Sequence, residues 1–298
     1  LHGSSGGNAE RAAAHASRAA EKRKSQTLKP KKMRSFRITL ALVMLFASLL
    51  WLLLGTSAPV YAIISERAQI IPSAIQATFG ATVVWIIATM LFGRIYCATV
   101  CPVGTLQDLV IWTRRKVNSQ HTFRYEAPSK IRYVVLAAYL VSLVAGVLAV
   151  GYVIEPWNIM RNAASGVNAA DTATTWQSIG ISLSVGVAAG ILVLLAVLIW
   201  AWFAGREFCT KICPIGSALG CMHSQSLMHI AIDPDKCISC MKCEDICASK
   251  CIKVEQRHVD NSRCTRCFDC TEVCPNDAIR FQLNRHRNRQ TPLLEPNG

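Results

Sequence analysis

Fourteen cysteines stand in this chain, and twelve of them fall into four short patterns. Two of these are C-x2-C-x2-C-x3-C runs: Cys237, Cys240, Cys243 and Cys247, then Cys264, Cys267, Cys270 and Cys274, with Pro275 after the second. Such a run suits a 4Fe–4S cube, because three thiolates in a tight loop cover three corners while the fourth reaches the neighbouring cube. On that rule Cys237, Cys240, Cys243 and Cys274 hold one cluster, and Cys264, Cys267, Cys270 and Cys247 hold the other. The second run begins 27 positions after the first, about half of a small pseudo-symmetric ferredoxin. A disulfide framework would need an oxidising compartment, and zinc sites usually take paired C-x2-C motifs rather than runs of four. The first run departs from the pattern: Ala248 stands where proline is common, and Cys251 follows. Cys251 is read as a small core residue, with Cys247 as the ligand.

The other two patterns are G-R-I-Y-C-A-T-V-C-P-V-G from Gly93 to Gly104 and G-R-E-F-C-T-K-I-C-P-I-G from Gly205 to Gly216, offset by 112 positions. Agreement at Gly, Arg, an aromatic, both Cys, Pro and Gly marks an internal duplication. In a helix, residues four apart share a face, so Cys97 pairs with Cys101 and Cys209 with Cys213. A following proline pushes Cys101 and Cys213 to extended backbone, and Pro102 and Pro214 suit the first position of a new helix. From Pro102 through Leu106, Leu109, Val110 and Trp112 to Arg114–Lys116, the pattern predicts a helix lying at a membrane interface. Duplication predicts that the two thiol pairs meet about a pseudo-two-fold axis. Three roles stay open: a third metal centre, a redox-active dithiol, or packing at helix ends. A relay, metal-bound or dithiol, best explains why the whole frame is repeated. Arg94 and Arg206 are expected to snorkel to lipid phosphates.

The elements that must position these cysteines are apolar. Hydrophobic residues make up 52% of the chain and charged ones 17%, with a mean hydropathy of +0.30, which suits an integral membrane protein carrying one soluble module. Residues 1–35 read as a disordered basic tail on an anionic membrane surface, with no secretory leader recognisable in them. Four apolar segments follow at 36–54, 72–93, 132–154 and 179–204, each able to cross about 30 Å of hydrocarbon at about 1.5 Å per residue. Small residues such as Gly80, Ala88, Gly186 and Gly190 read as packing faces.

Of the 32 Lys and Arg, 30 fall in the tail, the 94–132 loop and the region from Arg206 onward, leaving Arg67 and Arg161 for the two other loops. The positive-inside rule then places both termini and both clusters in the cytoplasm, where thiols stay reduced. That placement also accounts for the net charge of +14 without a nucleic-acid partner, for which no motif is present. Trp51, Trp157 and Trp176 near the outer ends, and Trp112, Trp200 and Trp202 near the inner ends, read as an interfacial belt. His229–Ile232, Ile252–Glu255 and Ala278–Gln282 read as short strands. The expected architecture is an α-helical membrane protein of four transmembrane helices, a duplicated hairpin, over residues 36–222. A small α+β bacterial-type two-cluster ferredoxin domain follows over 223–283, then a tail over 284–298.

Four spans, two C-x3-C-P motifs on the cytoplasmic side and a C-terminal two-cluster module together resemble the NapH family across roughly residues 36–282. These are membrane-bound ferredoxin-type components of quinol dehydrogenase in periplasmic nitrate reduction. MauN of methylamine utilisation, the membrane part of NosR and the copper-oxidase assembly protein CcoG share the individual motifs. NosR would add an outer flavin domain and CcoG a C-terminal β domain, for which this sequence has no room. The resemblance implies a multi-pass protein of the bacterial inner membrane that draws on the quinol pool. It also implies two partners, a peripheral iron–sulfur protein of the NapG kind and a membrane-anchored multihaem cytochrome c. No C-x-x-C-H occurs, so the chain is not expected to attach such a haem itself.

Two functions follow. The leading one is an electron-transfer subunit passing electrons from quinol toward a periplasmic reductase, nitrate reductase by resemblance. The alternative is a maturation or redox-sensing protein of CcoG or NosR type, or a MauN-type ferredoxin. Glu155, Trp157 and Arg161 outside, and His121 or Tyr125 inside, lie where a quinol headgroup could be met, though each also reads as an ordinary loop residue.

Overall fold

Two long apolar helices frame the N-terminal part of the computed structural model, which describes residues 30–54, 79–118, 122–145, 154–164, 183–223 and 226–283. Helix α1 (Pro30–Leu54) and helix α7 (Leu183–Ala204) are the described helices long and apolar enough to cross a membrane. Helices α2 (Phe79–Phe92) and α5 (Ile131–Val144) are apolar but shorter. The rest of the second, third and fourth predicted spans (72–78, 146–153 and 179–182) lies outside the described residues. So do residues 1–29, 55–71, 119–121, 165–178 and 284–298, and with them Arg67, His121 and Trp176. Leu42, Phe46, Val84, Val134, Leu192 and Ile199 turn outward from these helices and are exposed. Apolar faces of that extent call for lipid rather than water, and the chain is a membrane protein.

Between the long helices lie short ones. Helix α3 (Tyr96–Thr99) and helix α4 (Pro102–Val117) carry the first C-x3-C-P motif. A π-helical turn (Phe208–Ile212) and helix α8 (Pro214–His223) carry the second. Gly93 (φ 87°) and Gly205 (φ 74°) end α2 and α7 with left-handed backbone, the usual device for stopping a helix. Helix α6 (Pro156–Ala164) packs against α1, α4 and α7. Gly190 of α7 permits this approach, since a Cβ there would stand 2.6 Å from the Cβ of Asn162.

The C-terminal module pairs β1 (Met228–Ile232) antiparallel with β4 (Ile279–Leu283), Ile230 opposite Phe281. A four-residue turn over 254–257 joins β2 (Ile252–Lys253) to the antiparallel β3 (His258–Val259). The first, second and last strands match the predicted ones, while β3 is too short to show alternation. Helices α9 (Lys242–Asp245) and α10 (Asp269–Val273) complete the two halves. The duplication is written into the backbone: Ser239, Met241 and Lys250 have positive φ, and so do Arg266, Phe268 and Asp277, each 27 positions later.

The module is fastened to the membrane part by backbone as well as charge. Arg206 N–H donates to the Ala248 carbonyl at 2.9 Å, and Phe123 N–H to the Asp245 carbonyl at 2.9 Å. Ala248 packs with Ile111 and Phe123 in a small buried cluster, so the alanine in place of proline sits at the junction of the two parts. Asp269 accepts from Arg34 and Arg115, both at 3.0 Å.

Candidate redox centres

The eight cysteines of the long runs divide between two clefts. One, with about 340 Å³ of empty space, is lined by Cys237, Cys240, Cys243 and Cys274; the other, about 350 Å³, by Cys247, Cys264, Cys267 and Cys270, with Cys251. Each cleft therefore collects three thiols from one run and one from the other. The left-handed residues explain how: Ser239 and Met241, like Arg266 and Phe268, curl each loop so that every third side chain, a cysteine, lines the cleft. No three His, Cys, Asp or Glu side chains among the described residues converge on a single ion. A cube takes one thiolate at each iron, so its ligands stand around it rather than meeting at a point. Four thiols around an apolar cleft fit that group. Burial, reinforced by Cys274, pushes the Cys243 thiol up to about 12, so metal must displace protons there.

Cys251 is 1% exposed and does more than fill space. Its sulfur lies 3.5 Å from that of Cys247. Hydrogen bonding from Cys251 holds the Cys247 and Cys264 thiols below the ordinary range. Hydrogen bonds to cluster sulfurs are one lever on reduction potential.

The four thiols of the short motifs, Cys97, Cys101, Cys209 and Cys213, share one buried core with Tyr96, Phe208, Met44, Val197 and Trp157. Cys101 (ψ 115°) and Cys213 (ψ 121°) are extended, with Pro102 and Pro214 opening the next helices as predicted. Each motif closes on a bond spanning five residues, from Cys101 N–H to the Tyr96 carbonyl (3.1 Å) and from Cys213 N–H to the Phe208 carbonyl (2.8 Å). Such π-type turns recur at functional sites. The final glycine of each motif is dictated by crowding: a Cβ on Gly104 would stand 2.3 Å from the Cys97 carbonyl, and one on Gly216 2.1 Å from that of Cys209.

Arg94 and Arg206 do not snorkel. Both are 1% exposed, and each reaches across to the opposite motif. Arg94 donates to the Cys209 carbonyl at 2.8 Å, and Arg206 to the Cys97 carbonyl and the Gly104 carbonyl, both at 3.2 Å. The reciprocal brace is the pseudo-two-fold relation made physical. Charge explains why it replaces lipid contact: Asp108 of α4 pairs with Arg206 (2.5 Å) and Arg37 (2.8 Å). Burial raises the Asp108 carboxyl, but Arg206 and Arg37 outweigh it and hold it below the usual range. These ion pairs draw α4 into contact with α1, α6 and α7, rather than leaving it to lie alone at an interface. Its Leu109, Trp112 and Val117 remain exposed.

The braces also face the C-terminal module. Arg94 donates to the Ser262 carbonyl at 3.4 Å, just before Cys264. Arg206 stands within electrostatic range of both Cys209 and Cys267, and Cys270 within range of Cys243. Sequence reasoning missed two partners here, Asp108 and the buried Gln107. Asp108 offered no signal beyond one acid on a basic helix. Gln107, whose Oε1 accepts from the Cys209 sulfur at 3.0 Å, offered none. Trp157, assigned to an interfacial belt, is instead buried beside the four thiols, because α6 folds in against α7. Glu155 is buried with it, whereas Arg161 is half-buried and Tyr125 flanks the first cysteine loop, its N–H donating to Glu244 at 3.1 Å.

A helical membrane part with paired cysteine motifs, joined to a module built as two ferredoxin halves, defines an iron–sulfur electron-transfer protein of the membrane. A family described as "4Fe-4S binding domain" matches residues 75–120 and 187–229, one C-x3-C-P motif in each, and a second family of the same description matches residues 257–280. Among curated proteins the chain is similar to the ferredoxin-type protein NapH of Escherichia coli, 28% identical over 59% of this chain and 55% of that one. The methylamine utilization ferredoxin-type protein MauN of Paracoccus denitrificans is 26% identical over 65% and 62%. The putative electron transport protein YccM of Escherichia coli is 24% identical over 60% and 48%. The match spans little more than half the length of the NapH relatives. No solved structure matches. The chain is thus similar to a group of ferredoxin-type proteins that includes NapH and MauN, and it carries their 4Fe–4S binding signatures.

Proposed function

We propose that the chain carries electrons from membrane quinol through three cysteine sites in line. The four thiols of the membrane core come first. Cys247, Cys264, Cys267 and Cys270 come second, and Cys237, Cys240, Cys243 and Cys274 third. The observation that carries this order is the Arg94 side chain, bonded at once to the backbone of Cys209 and of Ser262. It ties the membrane thiols to the second site across one residue. Iron–sulfur clusters bound at these sites would supply one-electron carriers. The two family matches over the short motifs, both described as 4Fe–4S binding, support a metal centre there over a bare dithiol.

By likeness to NapH, the electrons go toward a periplasmic reductase, with nitrate reduction as the system served. A NapG-like iron–sulfur protein and a membrane-anchored multihaem cytochrome c are the partners this reading calls for. The charge distribution supports a multi-pass inner-membrane protein whose termini and clusters face the cytoplasm. Redox titration in membranes tests the function. Addition of quinol should reduce the iron–sulfur centres at turnover rates, and nitrate with the partners present should reoxidise them. Centres that answer to neither would instead support a maturation or sensing role.

A further inference from the structure

Glu155 is the buried acid that the electron path leaves without a task. It precedes α6 and is 2% exposed. Its Oε2 accepts from the Asn158 side-chain amide at 2.6 Å, and its backbone carbonyl accepts from Ile159 N–H at 2.9 Å. Its Oε1 has no hydrogen-bond partner among the described residues. An ordinary helix cap would turn its carboxylate onto backbone N–H groups; this one takes a side-chain amide and leaves an oxygen open. Buried polar groups are seldom left so, and ionisable residues within a membrane part mark substrate or proton paths. Tyr139 of α5 lies within electrostatic range of both Glu155 and Cys213. Trp157, two residues after Glu155, packs in the same core as the four thiols.

We propose that Glu155, with Tyr139, forms the headgroup site for a hydroquinone beside the membrane thiols. This rests on the quinol-oxidising function above and adds where quinol binds. The open carboxylate oxygen accepts a hydrogen bond from a hydroquinone hydroxyl, and the aromatic residues offer the apolar surroundings its ring requires. On oxidation that O–H bond breaks. Its proton goes to the Glu155 carboxylate, which becomes the acid, and its electron goes to a one-electron iron–sulfur acceptor of the chain. The second hydroxyl follows in the same way after Glu155 has released its proton.

The test uses the full chain in proteoliposomes and a fluorescent hydroxyquinoline N-oxide, which mimics the quinol headgroup. Wild type should bind the probe. Glu155→Gln should bind it about tenfold more weakly, as expected for the loss of one buried hydrogen bond, while dithionite-reduced cluster spectra stay unchanged. Binding equal to wild type overturns the site. A second measurement needs no variant: a lipid-soluble carbodiimide should modify Glu155, and the probe should protect it. Labelling that ignores the probe overturns the proposal even if Glu155→Gln does not accumulate. If wild type binds no probe and quinol reduces no centre, the parent function fails. If quinol reduces the centres but Glu155→Gln leaves binding and rate untouched, only the assignment to Glu155 fails.

Discussion

The two cysteine-bearing regions solve one problem by opposite means. In the C-terminal module the thiols ride on short loops, shaped by left-handed residues repeated 27 positions apart, and each cleft borrows its fourth cysteine from the other half. Local backbone does most of the placing. In the membrane part the thiols sit where helices end, and no loop gathers them. Two buried arginines, held by Asp108, bind each motif to the other through backbone carbonyls. A loop-built site is specified by nearby residues, whereas a helix-end site depends on side chains brought from far along the chain.

That contrast can be broken most directly at the thiols. Replacing Cys97 and Cys209 together by Ser should leave about eight irons per chain in the C-terminal module, while quinol no longer reduces them. A fall from about twelve irons to eight would show a third cube, and eight in both proteins would show a dithiol. Iron content and reduction both equal to wild type would make the membrane cysteines structural. By comparison Cys264→Ser should damage the cleft it shares with Cys247, Cys267 and Cys270 and spare the other, read by the loss of one cluster signal.

Next in size is the brace. Arg206→Ala strips a buried donor from the Cys97 and Gly104 carbonyls and leaves Asp108 with Arg37 alone, at a cost of about 3–5 kcal/mol. Thermal unfolding in detergent measures it. The Asp108 carboxyl is held low in the folded protein. Its contribution is therefore present above the unfolded carboxylate pKa of about 4 and is lost only as pH falls through the lower folded value. Stability in wild type that declined between pH 8 and 6 through this pair would contradict the assignment.

Gly216→Ala sharpens the comparison further. A Cβ 2.1 Å from the Cys209 carbonyl must force the motif apart, an overpacking cost of about 1–3 kcal/mol, and quinol-driven reduction should slow while the C-terminal clusters stay loaded. Cys251→Ser should do less. Both clusters should remain by iron count, with a shifted potential for the cleft of Cys247 and Cys264, because the sulfur in contact with Cys247 is replaced. Loss of a cluster in Cys251→Ser but not in Cys247→Ser would exchange their roles. Smallest of all, Arg34→Ala removes a part-exposed ion pair to Asp269 and should change stability by less than about 1 kcal/mol.

The sequence by itself determined what depends on spacing and sign. The two cysteine runs and their crossed sharing, the 112-residue duplication, and the prolines that open helices after Cys101 and Cys213 are all local or additive properties. Short strands β1, β2 and β4 were legible for the same reason. Only the tertiary structure decided what depends on encounter. It turned Arg94 and Arg206 from lipid-facing residues into buried braces, and gave Asp108 and Gln107 partners about 100 positions away. It carried Trp157 and Glu155 from a loop into the core that holds the thiols. A buried charge declares itself in sequence only by its type. What neutralises it is chosen by which helices pack together, and that choice is spread over residues too distant to leave a motif.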